Sequence, residues 1–242
     1  FADAVLNREP AVTKDAPAKT RDECLKTAAK ALYVNTDKLT YSGDSNGAIP
    51  CYNYTMDGYT VAVSKGGGYV AYILGSGKVN SQSITQENAV NVAKAYLKKL
   101  GYQDMVQTYY AVENNVCVIN FAYAKNNVIY YSDLIKVGVS LADGKIYSLE
   151  ADGFLTNHRE RNDFSMKIAE KDLQKKISSH VEIISSRHCV IPKKNGKEAP
   201  CVEYHCRNKA TGDEVLIYIN TTTGEEENIL MLLYSDNGTL TK

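Results

Sequence analysis

Apolar residues along this chain recur first at a spacing of three to four and then at a spacing of two, and the switch between these periods happens more than once. In TQENAVNVAKAYLKKL, residues 85–100, Ala89, Ala93, Tyr96, Leu97 and Leu100 fall on one helical face. Thr85 is placed to cap that helix, Ile84 to act as a hydrophobic staple and Gly101 to stop it. An earlier window has the same design. Thr20 and Glu23 spell a capping box, and Cys24, Leu25, Ala28, Ala31 and Leu32 form the apolar face. A third, weaker helix is expected from about Ala169, with Ile168, Leu173 and Ile177 apolar but no good cap.

After each helix the alternation of strands takes over. PCYNY at 50–54 recurs as PCVEY at 200–204, and CVINF at 117–121 occupies the equivalent place. VAVSKGGG, VGVSLADG and IYINTTTG then align so that Gly68, Gly144 and Gly224 coincide as hairpin-turn residues. The order helix, strand, strand, turn, strand appears three times, which predicts an α+β chain of three tandem units, each a helix packed on an antiparallel sheet. The expected boundaries are an N-terminal extension at 1–19 and units at 20–79, 80–158 and 159–242. The strongly polar NHRERNDF, 157–164, reads as the main linker.

Composition narrows the functions. The 28 Lys and Arg balance the 28 Asp and Glu among 242 residues, so no global field favours nucleic acid. No apolar run approaches the roughly 20 residues of a membrane helix. The opening FADAVLNREPAVTKDAPAKT has neither the basic start nor the apolar stretch of a signal peptide, although a targeting segment upstream of it remains compatible. The 18 Tyr, many alternating with polar residues, suit half-buried strands with a wet rim. Six Cys without CxxC spacing leave the redox compartment open.

Catalytic motifs are sparse. There is no GxSxG, HExxH or phosphate-binding loop, and GSG at 75–77 and GGG at 66–68 read as turns. No cofactor is implied. If 181–191 and 198–207 pair as a hairpin centred near Asn195, Cys189 lies opposite Cys201 and His205 shares their face. Three such ligands suit zinc; a cross-strand disulfide is a second option and buried thiols are the plainer one. KDLQKK at 171–176 reads as a solvated helix face, and Glu225, Glu226 and Glu227 as an exposed strand edge, with binding of a basic partner or cation as the alternative. His158, Arg159 and Arg161 lie in the polar linker, with a grip on an acidic group as the alternative to simple solvation.

These stretches carry a resemblance. YYSDLIKVGVSLADGKIYSLEADGFLTNHRER, 130–161, is similar to the central signature of the YpeB family of spore germination proteins, through Tyr131, Asp133, Lys136, Gly144, Glu150, Gly153, Leu155 and His158. HCVIPKKNGKEAPCVEYHC and the closing LIYINTTTGEEENILMLLYSDNGTLT fit the same family, while Ser132 and Lys145 depart from its usual residues. The resemblance implies three PepSY domains from the C-terminal part of a membrane-anchored spore protein. It also implies an extracytoplasmic location near the outer face of the spore inner membrane, anchored through an N-terminal segment. The expected role is a non-enzymatic regulator that binds, stabilises or restrains a spore cortex-lytic enzyme of the SleB type. Peptidoglycan binding and cryptic hydrolysis are the alternatives. The partner-facing candidates carried over are Tyr131, Asp133, Lys136, Glu150, His158, Arg161, Glu225 and Glu226.

Overall fold

Helix α1 (Arg21–Leu32) starts where its capping box lies: Thr20 Oγ1 accepts from the Glu23 amide at 3.2 Å, and the Glu23 carboxylate accepts from the Thr20 amide at 2.8 Å. Helix α2 (Gln86–Leu100) is capped by Thr85 and ends on Gly101 at φ 95°. Both bury their apolar faces, Cys24, Ala28, Ala29 and Ala31 in α1 and Ala89, Ala93, Tyr96 and Leu97 in α2. The Tyr96 hydroxyl ties the two together by donating to the Ala31 carbonyl at 2.9 Å.

The structure, a computed structural model, describes residues 9–161, 164–193, 195–235 and 238–241. The first eight residues of the expected extension, and Asn162 and Asp163 of the expected linker, lie outside the described residues. What is described of the extension is docked. The amides of Ala11 and Val12 donate to the Thr156 and Leu155 carbonyls at 3.1 and 3.0 Å.

Among the described residues thirteen strands form one sheet: β1 (Thr40–Ser45), β2 (Cys51–Met56), β3 (Tyr59–Ser64), β4 (Val70–Gly75), β5 (Met105–Glu113), β6 (Val116–Lys125), β7 (Val128–Ser140), β8 (Ile146–Glu150), β9 (Val181–Pro192), β10 (Glu198–Asn208), β11 (Glu214–Asn220), β12 (Glu226–Ser235) and β13 (Gly238–Thr241). Their order is β1-β2-β3-β4-β8-β7-β6-β5-β13-β12-β11-β10-β9. The pairings are antiparallel except for one. The long β7 runs along β6 on one side and divides its other side, giving Lys136–Val139 to β8 and pairing Val128–Tyr130 in parallel with His188–Val190 of β9. That parallel contact closes a ring of eight strands, β5, β6, β7, β9, β10, β11, β12 and β13. Tyr131, Cys189, Cys201, Tyr218 and Leu232 pack together within the ring. The chain is thus α+β, with a mostly antiparallel sheet and few helices.

Two short helices depart from the sequence expectation. The helix α3 (Asp152–Asn157) is one that the periodicity along the chain did not predict. It crosses β7 so closely that a β-carbon at Gly153 would sit 2.8 Å from the Leu134 carbonyl oxygen. The expected third helix is reduced to α4 (Glu170–Gln174), without a side-chain cap. Leu173 is its buried residue, packed with Val202, Tyr204 and Ile217. A segment this short has little intrinsic helical stability, so the sheet surface beneath it sets its extent.

The turn glycines behave alike. Gly144 and Gly224 have φ of 75° and 73°. Ile84 Cδ1 lies 3.6 Å from the position of a β-carbon at Gly144, and Ile168 Cδ1 lies 3.1 Å from that at Gly224. The Ile84 and Ile168 amides donate to the carbonyls of Leu141 and Thr221, each at 3.0 Å. Gly68 (φ 73°) meets Lys19, the residue before the α1 cap, in the same way. Each of the three therefore seats the residue that leads into a helix on a strand turn.

Candidate functional site

The polar stretch read as a linker carries two buried anchors. Arg161 is fully buried, its Nη2 donating to Asp133 Oδ1 on β7 and to the Asn157 carbonyl. Its Nη1 donates to Glu198 Oε2 on β10 at 2.5 Å, and Arg159 Nη2 reaches the same oxygen at 2.9 Å. Asp133 Oδ2 pairs with His158 Nδ1 at 2.9 Å. The His158 ring stacks on Phe154 and meets Tyr123 edge-on. Asn157 Nδ2 donates to the Ser132 carbonyl at 3.1 Å, which fixes α3 over β7.

The charges balance locally. Burial acts against the Arg161 cation, yet Asp133 and Glu198 outweigh it and hold the guanidinium above its ordinary value. Burial likewise acts against the Glu198 carboxylate, but hydrogen bonds from Ser132 and Arg161, with the charges of Arg161 and Arg159, hold its carboxyl below the ordinary value. This arrangement joins β7, α3 and β10 electrostatically. It corrects the solvated-linker expectation in favour of a grip on acidic groups.

A second polar group lies inside the eight-strand ring. Tyr131 Oη donates to Glu203 Oε2, and Arg187 Nε donates to Glu203 Oε1, each at 2.5 Å. Arg187 Nη2 reaches Tyr109 Oη at 3.3 Å. Burial raises the Tyr131 phenol well above its usual value, and the Glu203 charge adds to this, so Tyr131 is held as a hydrogen-bond donor.

The partner-facing candidates therefore divide. Asp133, His158 and Arg161 come together as one cluster, whereas Tyr131 belongs to the ring interior. Burial removes Tyr131, Asp133 and Arg161 from direct contact with a partner in this conformation. Lys136 and Glu150 are register partners whose Nζ and Oε2 lie 3.5 Å apart on the surface. Glu225 and Glu226 are exposed, while Glu227 turns to Lys193 at 2.8 Å. Glu198, Glu203 and Arg187 were not foreseen. Glu203 did leave a signal in PCVEY, where an acid shares the inward phase of Cys201; Glu198 left none.

The β9–β10 register places Cys189 opposite Cys201, as the hairpin reading required. His205 stands opposite Ser185 and gives its Nε2 to Glu214 Oε2 at 2.6 Å rather than to the two sulfurs. Among the described residues no three His, Cys, Asp or Glu groups gather in a way that suits a metal ion. All six cysteines are buried thiols. Burial pushes Cys24, Cys51, Cys117 and Cys206 up to about 11 and Cys201 to about 12, and raises Cys189 as well. The folded protein is expected to resist iodoacetamide at pH 8, and to take six labels once unfolded without reductant. Intact mass checks this, with four labels indicating one disulfide.

The family model for YpeB sporulation, PepSY1 and PepSY2 domains, matches residues 1–164. The sporulation protein YpeB of Bacillus subtilis (strain 168) is 29% identical over 169 residues, covering 69% of this chain and 37% of that protein. The Oceanobacillus iheyensis sporulation protein YpeB is 27% identical over 215 residues, covering 86% of this chain and 47% of that protein. The chain thus spans less than half the length of these curated relatives. The solved Bacillus megaterium YpeB C-terminal domain superposes with a TM-score of 0.80 at 24% identity, over 90% of this chain and 100% of that one, which shows a shared fold. No helix among the described residues is long and apolar enough to cross a membrane. With two PepSY domains matched across residues 1–164 and the signature residues Asp133 and His158 folded into one cluster, the chain belongs to the YpeB family of sporulation proteins.

Proposed function

We propose that this chain acts in sporulation and germination as a non-enzymatic regulator that binds, stabilises or restrains a spore cortex-lytic enzyme of the SleB type. The observation that carries this reading is the commitment of its reactive side chains to structural partners. His158, His188 and His205 each face a carboxylate, and the thiols are buried in cores. Chemistry by a nucleophile and base needs such groups poised against one another and open to substrate. The proposed organisation is three PepSY-like units at 20–79, 80–158 and 159–242, supported by the thrice-used seating of a pre-helix residue on a turn glycine. The proposed location is extracytoplasmic, at the spore inner membrane, with an anchor supplied by sequence N-terminal to this chain.

Exposed Glu150, Glu225 and Glu226, with half-buried Lys136 and His158, are the proposed contact positions. Titration of this chain into a purified SleB-type enzyme, with binding and cortex hydrolysis followed together, tests the proposal. Saturable binding with slowed hydrolysis is expected for restraint, and saturable binding with a longer-lived enzyme for stabilisation. No binding at micromolar concentrations, together with sedimentation of the chain on purified cortex, would overturn it in favour of peptidoglycan recognition.

A further inference from the structure

The mouth of the eight-strand ring holds a cavity of about 280 Å³, formed between β5, β9, β10, β11 and β12. Barrel mouths are common ligand sites, and this one lies just below the roughly 300–1,000 Å³ typical of small-molecule pockets. Its floor is the Arg187–Glu203 pair. Both oxygens of Glu203 are engaged, one by Tyr131 and the other by Arg187. Arg187 is not. A guanidinium has five N–H donors; here Nε goes to Glu203 and Nη2 to Tyr109 through a long 3.3 Å bond, and its remaining donors meet no protein acceptor among the described residues. The neighbouring His205 turns its Nε2 away to Glu214.

We infer that this cavity binds a small carboxylate carrying an amide and a short aliphatic group, an N-acylated amino acid or the C-terminal residue of a peptide. The carboxylate is the part matched to Arg187, whose planar fork suits two oxygens and whose position Glu203 fixes. Gln107, Thr108 and Ser185 supply amide and hydroxyl groups around the opening for the ligand amide. Leu216 and Leu232 supply the apolar wall, and the volume limits the side chain to a small one. The inference stands apart from the proposed regulatory role and needs no second protein.

The test uses the whole chain, labelled with ¹⁵N, titrated with N-acetylalanine and in parallel with N-acetylalaninamide, which keeps the amide and methyl but lacks the charge. Saturable shifts centred on Gln107, Thr108, Ser185 and Arg187 are expected with the carboxylate, and none with the amide. Acetylated tripeptides ending in a free carboxylate separate the two sources: tighter binding than the single residue assigns a peptide terminus, and weaker binding a free acyl amino acid. Arg187→Gln is expected to weaken binding by about tenfold or more, as loss of a charged hydrogen bond implies. Because Arg187 also supports the floor, Ser185→Trp provides a second variant; Ser185 is exposed at the rim, so the new ring blocks the mouth with the melting curve unchanged. Equal shifts from acid and amide, shifts confined to other surfaces, or undiminished binding in both variants would overturn the assignment.

Discussion

Replacing Arg161 by Leu is expected to destabilise the folded chain by about 3–5 kcal/mol, the usual loss when one member of a buried ion pair is removed. Arg161 and Asp133 have no exposed side-chain surface and Glu198 is 7% exposed, so little solvent is at hand to replace the lost cation. The deletion leaves two carboxylates in a cavity built for a guanidinium, with Arg159 on an oxygen of Glu198 and His158 on an oxygen of Asp133. Urea denaturation checks this through a lower midpoint at unchanged slope. A loss below about 1 kcal/mol would mean that water enters the cluster and does what Arg161 does. The triple variant Arg161→Leu, Asp133→Asn, Glu198→Gln should recover much of the loss, since the penalty lies in unpaired charge more than in missing attraction.

The same cluster carries a pH signature. In the native protein the Glu198 carboxyl is held below its ordinary value, so its contribution is present above that value and disappears as pH falls through the folded value. In Arg161→Leu the sign reverses. Buried carboxylates without their cation are raised, and protonation then stabilises the fold. The stability gap between the two proteins is therefore expected to narrow on acidification from pH 7 towards 4.

Leu173→Ala should cost about 2–5 kcal/mol, as for other large-to-small changes in a packed core. The effect should also be local, because α4 spans Glu170–Gln174 and Leu173 is its buried residue. Isolated helices shorter than roughly 12–15 residues are marginal in water, so one side chain decides whether this turn exists. Hydrogen exchange is expected to quicken at Asp172, Leu173, Lys176 and Ile177, whose amides close the turn, while α1 and α2 keep their protection. Lys171→Ala on the exposed face serves as the control, with an expected change within about 0.5 kcal/mol.

What the sequence made legible was local chemistry. Thr20–Glu23, Thr85 and Gly101 mark helix ends through bonds made within a few residues, and the structure places them where those bonds require. Gly68, Gly144 and Gly224 announce turns because their positive φ is a property of single residues. The Cys189–Cys201 register followed from one hairpin. What stayed hidden depends on contacts distant in the chain. Arg161 looks solvated in NHRERNDF because its neighbours are polar, and its burial is decided by Asp133 and Glu198, 28 and 37 residues away. α3 is held by Gly153 lying against Leu134, and no periodicity in six residues can reveal that. The parallel β7–β9 contact had no signal, since pairing across more than fifty residues leaves the alternation of each strand unchanged.

The divided edge of β7 gives the chain a covalent map and a hydrogen-bonded map that do not coincide. Cutting the polypeptide near residue 164, where the PepSY1 and PepSY2 match ends, severs a single peptide bond but removes the strand that covers Val128–Tyr130 and the carboxylate that receives Arg161. The shortened piece would carry bare backbone donors and acceptors beside Ile129 and Tyr131, which are apolar positions meant for the interior of the ring. Such an edge invites a second copy to pair with it. Self-association of that fragment would then report a missing neighbour rather than a native oligomer.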